Sequence, residues 1–290
     1  LNQIKMRLIF FGSGYCSNFI IPLIGNNIEV VCTHKNKIKT QDFDKDLQIK
    51  RMLLDEFFDN SHKLLNTSNV ILNSIPPVNE KDILVEKLRG IISKQNSIKW
   101  YGYLSSTSVY GDQGGKWVTE ETIPKPKTKR GIARLKAEKQ NMSLLKEYNL
   151  PVHIFRLPGI YGPGRSICEK IKINQFVIKK ENHYFSRIHA KDIAYAIQAS
   201  INNPTPGEIF NITDDLPERN DLVADYAAKL MHINLEKIDI SDKRVNEKVL
   251  GFYKENKKVS NKKIKKILSW SPQFKNYKIG ISEILRQSND

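Results

Sequence analysis

Cysteine is scarce: Cys16, Cys32 and Cys168 are the three in 290 residues. They are odd in number and far apart, which excludes a disulfide framework and a Cys-x-x-Cys metal pair, so no metal site is expected. A reducing cytoplasm is the expectation that follows. No stretch reaches the ~18 apolar residues that a membrane span requires. The first residues also lack a positive, then apolar, then small-residue leader pattern, so no membrane partner is expected. Acidic residues are short as well, with 31 Asp and Glu against 47 Lys and Arg and a formal net charge of +16. That imbalance invites a nucleic-acid reading, but 36 lysines stand against 11 arginines. The lysines are scattered with few aromatics among them, whereas nucleic-acid surfaces cluster arginine and stacking rings. No nucleic-acid partner is expected. The basic runs at 125–130 and 254–266 read as solvated faces, and part of this charge can raise the local concentration of an anionic cofactor or substrate.

What the chain does have is a globular composition, 40% hydrophobic and 27% charged, at a length that allows one or two domains. Residues 7–11 form a short apolar run that breaks onto Gly12-Ser13-Gly14-Tyr15-Cys16-Ser17. A buried strand ending in two glycines and entering a helix leaves backbone N–H groups where a pyrophosphate can sit. A second apolar strand follows at 28–32, as a nucleotide-binding βαβ unit requires. The third glycine of the usual fingerprint falls at Ser17, and a plain tight turn stays open as the alternative. Strands are expected at 70–74, 99–104 and 151–157, with helices at 82–95 and 132–148. The segment 35–68 yields no securely placed strand. Further on, helices at 191–201 and 220–231 alternate with short strands at 208–212 and 235–240, ahead of a lysine-rich stretch ending at 264–268.

This alternation predicts an α/β protein: a Rossmann-type doubly wound parallel sheet with a small C-terminal α/β substrate lobe. The expected division is a nucleotide-binding domain at 1–165 and a substrate lobe at 166–290 with segments returning to the first domain. The later pieces look too short for a second independent core, and a substrate cleft between the lobes is the expectation. Tyr103-Leu104-Ser105-Ser106-Thr107-Ser108-Val109-Tyr110-Gly111 leaves the carboxyl end of a central strand, the face where ligands bind in such sheets. Its hydroxyls either serve a substrate oxygen or ribose or form a hydroxyl-rich turn closed by Gly111.

Several stretches in order carry a resemblance: Gly12-x-Gly14-Tyr15, Ser105 to Gly111, Arg156-Leu157-Pro158-Gly159-Ile160-Tyr161-Gly162-Pro163-Gly164, Arg187-Ile188-His189-Ala190-Lys191-Asp192, Phe210-Asn211-Ile212-Thr213-Asp214-Asp215, and Val259-Ser260-Asn261-Lys262-Lys263-Ile264. On these the chain resembles an atypical or extended short-chain dehydrogenase/reductase of the NAD-dependent epimerase/dehydratase superfamily. The resemblance implies that Gly12, Gly14 and Tyr15, with Cys16 beside them, hold the adenosine diphosphate part of NAD or NADP. It implies that Ser106 is the catalytic Ser/Thr that orients the reacting oxygen. It also places Arg156, Gly159 and Tyr161 near nicotinamide and substrate, with Arg187 and His189 at the substrate. Asp192 matches the same segment, and for His189 and Asp192 a helix start with Asp192 in its first turn is an equal reading. A homodimer through paired helices is implied by resemblance alone.

One departure is decisive. Where relatives carry Tyr-x-x-x-Lys, the resemblance puts Arg130 at the Tyr position and Arg134 at the Lys position. Arginine cannot relay a proton near neutral pH, because its pKa exceeds ~12, but its fork can bind ribose, phosphate or an anionic substrate. Arg134 is therefore a cofactor candidate as well as a member of the catalytic set, and Tyr110, Ser106 and Tyr161 are the candidate acids. At the end of the second strand Val31-Cys32-Thr33-His34-Lys35-Asn36-Lys37 offers no carboxylate before Asp42. Thr33, His34 and Lys35 thus suit a 2′-phosphate, favouring NADP over NAD. Two functions stay open: an NAD(P)-dependent oxidoreductase or epimerase-like enzyme acting on a nucleotide-linked sugar or other small hydroxylated metabolite, and a non-catalytic NAD(P)-binding sensor or interaction protein.

Overall fold

The computed structural model describes residues 6–25, 28–37, 47, 49–92 and 94–287. They form two compact units, the first from Leu1–Ser106, Lys129–Arg156 and Ile193–Phe210, the second from Thr107–Thr128, Leu157–Asp192 and Asn211–Asp290. No helix among the described residues is long and apolar enough to cross a membrane.

The first unit is built on the apolar runs. Leu8, Ile9, Phe10 and Phe11 are fully buried because helices cover both faces of their strand. A seven-stranded sheet runs in the spatial order Ile209–Asn211, Val152–Leu157, Trp100–Ser106, Val70–Asn73, Arg7–Phe11, Glu29–His34, Ile49–Leu53. The Arg7–Phe11 strand pairs in parallel with Glu29–His34 on one side and Val70–Asn73 on the other. Strand order therefore reverses at the first strand, the switch point outside which doubly wound sheets bind ligands. This is the expected fold class. Ile49–Leu53, in parallel register with Glu29–His34, lies in the stretch where the sequence offers no placeable strand. Residues 38–46, including Asp42, lie outside the described residues.

Two buried polar networks fix helices to this sheet. Asp82 accepts from the backbone N–H of Leu84 at 2.9 Å and of Val85 at 3.1 Å, capping the Ile83–Ile92 helix. Its other oxygen accepts from Asn73 at 2.8 Å and Asn141 at 2.9 Å, and Tyr101 donates to Asn141 at 2.8 Å. The second network joins Ser105, Glu138 and Arg156. Glu138, on the Lys129–Tyr148 helix, takes a 2.6 Å hydrogen bond from Ser105 Oγ and bonds of 3.0 and 2.7 Å from Arg156 Nε and Nη2. Both charged side chains are almost fully buried, at 3% and 4% exposure.

The second unit uses short parallel pairs: Gly159–Tyr161 with Arg187–His189, Phe176–Ile178 with Glu236–Ile238, and Trp117–Val118 with Lys258–Val259. It has an apolar cluster of its own, including Ile171, Val223, Ala224, Ala227, Tyr277 and Ile281, where the sequence suggested pieces too short for one. The helices Ile167–Asn174, Asn220–Leu230 and Tyr277–Gln287 supply most of it, because each places small or branched residues three and four apart. Ser166 and Glu169 close a capping box at the start of the first of these helices.

Candidate functional site

In the first unit the leading strand ends at Gly12, whose φ of +82° belongs to the region that favours glycine. A Cβ there would stand 3.0 Å from Ile75 Cγ1 and from Ser74 Oγ. The turn is held from behind: Gly12 N–H donates to Thr33 Oγ1 at 3.2 Å, Ser13 N–H to Thr33 O at 2.9 Å, and Ser74 Oγ donates to Gly12 O at 2.6 Å. Gly14 differs, because the nearest atom to a Cβ built on it is Gly12 O at 3.8 Å, so that side of the turn is open. The Ser17–Ile24 helix then starts with no side-chain cap at Cys16 and no acid in its first turn. Its first N–H groups, of Ser17, Asn18 and Phe19, donate back to the carbonyls of Gly14, Tyr15 and Cys16 at 3.1, 3.3 and 3.1 Å, so what the helix start offers an anion is its positive dipole end.

A cavity of about 250 Å³ opens over this turn, lined by Ser13, Gly14, Tyr15, Ser17, Asn18, His34 and Arg51. No carboxylate is among them. Ser13 Oγ is buried without a hydrogen-bond partner among the described residues, a cost unless something else meets it. The open face of Gly14, the uncapped helix start and the orphaned hydroxyl together fit the pyrophosphate of a dinucleotide. Tyr15, Gly14 and His34 line the cavity, and Cys16 stands beside it at the residue before the helix, without a side-chain capping bond. Thr33 lies behind the turn as its scaffold, and Lys35 is exposed outside the lining. Arg51 was missed from sequence. Its strand register sets it opposite Cys32, on the face that His34 shares.

The hydroxyl-rich strand Trp100–Ser106 is buried along its whole length and passes into a 3-10 turn, Thr107–Tyr110. Ser106 is the last residue of the strand, beside the Ser105 that Glu138 holds. Arg134 donates to Leu104 O at 2.8 Å and to Tyr103 OH at 3.1 Å, so the residue at the Lys position braces the strand that ends in Ser106. Arg130 is exposed at the start of the same helix. Arg156, expected at the substrate, has its fork on Glu138.

In the second unit Tyr110 is fully buried and its hydroxyl donates to Asn211 Oδ1 at 2.8 Å. Lys257, itself buried, donates to Gly111 O at 3.0 Å. Gly159 is exposed at the head of its strand, and Tyr161 sits edge-on to His189 with ring centroids 5.2 Å apart. Tyr161 OH has no hydrogen-bond partner among the described residues, and burial pushes its pKa up. Burial pushes His189 down to about 4, so its ring is neutral, and it packs on Phe274 at 3.9 Å. Arg187 donates to Phe185 O, Glu218 O and Asn220 Oδ1 at 2.8, 2.9 and 3.2 Å. Asp192 lies in the first turn of Ala190–Asn202, yet its carboxylate accepts from Gln273 N–H at 2.7 Å and Phe274 N–H at 3.1 Å. Burial pushes Asp192 up to about 6 and Asp214 up to about 8.

A family model described as the NAD dependent epimerase/dehydratase family matches residues 84–213. A solved structure of a functionally unknown conserved protein from Silicibacter pomeroyi DSS is 32% identical with a TM-score of 0.86, covering 98% of this chain and 99% of that one. The chain belongs to the NAD-dependent epimerase/dehydratase superfamily. Protein YeeZ of Escherichia coli K12 is 35% identical over 118 residues, 38% of each chain. The segments matched in curated relatives span 22% to 38% of those relatives' length. A dTDP-glucose 4,6-dehydratase from Bacillus anthracis str. Ames, solved with NAD, has a TM-score of 0.79 at 17% identity, covering 98% of this chain and 97% of that one. That likeness is one of fold.

Proposed function

We propose that this superfamily member binds a nicotinamide dinucleotide over its first glycine turn and uses it in epimerase- or dehydratase-type chemistry on a nucleotide-linked sugar. The observation that carries the reading is the open face of Gly14 beside the orphaned Ser13 hydroxyl, in an acid-free cavity at an uncapped helix start. Bound there, the nicotinamide would accept and return a hydride. Gly14, the Ser13 hydroxyl and the positive dipole end of the Ser17–Ile24 helix would hold the pyrophosphate. Ser106 would orient the reacting oxygen, on a strand end fixed by Ser105, Glu138 and Arg134. Of the three acids the sequence offers, Ser106, Tyr110 and Tyr161, the last keeps a buried hydroxyl without a hydrogen-bond partner among the described residues. Cytoplasmic residence and self-association as a dimer belong to the same reading.

The test is direct. Purified protein is titrated with NAD and NADP by calorimetry, and its spectrum is read for bound nicotinamide. UDP- and dTDP-linked sugars are then supplied, and reduced cofactor at 340 nm and new sugar isomers are sought. Dinucleotide binding with turnover of one such sugar is the expected result. Absence of dinucleotide binding refutes the reading.

A second reading rests on its own observation. Arg134 is tied to Leu104 O and Tyr103 OH, and Arg130, exposed, cannot donate and retrieve a proton at neutral pH. A dinucleotide-binding protein without turnover would show cofactor affinity and no sugar conversion in the same experiment.

A further inference from the structure

We infer that the groove between the Asn220–Leu230 and Tyr277–Gln287 helices is a docking surface for an acidic amphipathic helix of a partner protein. Both helices belong to the second unit, and their inner faces bury Val223, Ala227, Tyr277 and Ile281 in one apolar cluster. Their outer faces leave a cavity of about 410 Å³ lined by Tyr226, Phe274, Lys278, Ile279, Ser282 and Arg286, with Glu283 beside them. Tyr226 OH and Ser282 Oγ, 2.9 Å apart, tie the two walls together. Leu222 and Leu230 stand four residues before and after Tyr226, so they continue its row along the helix. Leu222, Leu230 and Ile279 are 39%, 42% and 45% exposed. Large aliphatic side chains at helical spacing usually face a core; these face solvent along one groove. The row from Leu222 to Leu230 rises ~12 Å, room for about two turns of a partner helix.

The charge along the groove decides the kind of partner. Residues 222–230 and 274–287 carry two carboxylates, Asp225 and Glu283, against four cations, Lys229, Lys275, Lys278 and Arg286. Both carboxylates are engaged: Asp225 accepts from Lys237 Nζ at 2.7 Å, and Glu283 accepts from Arg286 Nη2 and Gln287 Nε2, each at 2.7 Å. Lys229, Lys275 and Lys278 are exposed. A helix with leucines on one face and carboxylates on its flanks covers the apolar row and meets these ammonium groups. The same attraction speeds its encounter with a chain of net charge +16. A second copy of this chain is a poorer match, because a symmetric contact sets the same cations against one another. An anionic membrane is flat, whereas this lining is concave between two helices.

The experiment is fluorescence anisotropy of the intact protein with a labelled helical peptide of about 16 residues, leucines spaced three and four apart and glutamates elsewhere. A peptide with lysines in place of the glutamates is the control. The acidic peptide should bind and the lysine peptide should not. Ile279→Glu should weaken binding roughly tenfold or more, and Lys278→Glu roughly threefold to tenfold, with the smaller effect fading at high salt. Ile123→Glu, at an apolar position 71% exposed on another segment, should leave it unchanged. All three positions are exposed, and far-UV circular dichroism checks that each variant is folded. No binding of the acidic peptide, or equal binding of the lysine peptide, overturns the inference. So does equal binding by wild type and Ile279→Glu, which would report the net charge alone. Tighter binding to phosphatidylserine vesicles that Ile279→Glu abolishes would give the groove to a membrane. A wild-type dimer in sedimentation equilibrium that Ile279→Glu dissociates would give it to a second copy. Either result overturns the assignment to a partner helix.

Discussion

Replacing Glu138 by alanine should be among the most damaging single changes in the first unit. The substitution leaves the Arg156 guanidinium at 3% exposure with its two charge-assisted bonds removed, and it also releases Ser105 Oγ. Arginine does not deprotonate to escape a buried site, so the charge must be carried into a low-dielectric interior or the strand must shift to hydrate it. Breaking one partner out of a buried pair typically costs about 3–5 kcal/mol. Against a total stability of ~5–15 kcal/mol, that is a large fraction. Urea denaturation followed by far-UV circular dichroism measures it as a lower midpoint at unchanged slope. The companion double variant Glu138→Leu with Arg156→Met removes both charges together and should recover most of the loss, because the penalty is that of an unpaired charge and not of a missing attraction. A loss below ~1 kcal/mol for Glu138→Ala, the range of an exposed pair, would refute the reasoning. It would mean that water already reaches Arg156.

Gly14→Val should abolish dinucleotide binding, measured calorimetrically, while the thermal melt stays close to wild type, because a side chain there projects into open space. Gly12→Ala should instead destabilise the fold by ~1–3 kcal/mol in urea, since φ of +82° and neighbours at 3.0 Å both oppose a Cβ. Asp214 predicts a pH dependence. Its folded pKa of about 8 stands above the ordinary 3.8, so the folded state holds the proton more tightly and this contribution to stability is lost as pH rises from about 4 to about 8. Asp214→Asn should flatten that decline in urea midpoints taken at pH 5 and pH 8, and an unchanged slope would remove Asp214 as its source. His189 acts in the opposite sense: with its pKa pushed down to about 4, its share of stability is present above pH 6.5 and is lost as pH falls toward 4. His189→Phe should lessen that acid-side loss.

Elements that carry their own pattern were legible from the chain. The Arg7–Phe11, Val70–Asn73 and Val152–Leu157 strands are apolar because both faces are covered, and such runs need no partner to be recognised. Ile49–Leu53 was not legible. It reads Ile-Lys-Arg-Met-Leu, an edge strand that owes its pairing to Glu29–His34 rather than to composition. The candidate site divides the same way. The glycine turn is local and could be read, whereas Arg51 reaches the cavity only through strand register. Arg156 illustrates the converse: its motif pointed to substrate, but pairing with a glutamate 18 residues earlier in the chain was visible only after folding. The apolar cluster of the second unit is assembled from three separated helices, none with a long hydrophobic run of its own.

The border strand Ile209–Asn211 has a consequence for synthesis. It is the seventh member of a sheet whose first strand begins at Arg7. A chain emerging from the ribosome cannot finish that sheet until Asn211 has been made, and by then two segments of another folding unit have been threaded in between. Late closure of this kind leaves a strand edge unprotected during translation. A truncation just short of Ile209 should therefore yield an aggregating product, rather than a smaller soluble nucleotide-binding fragment.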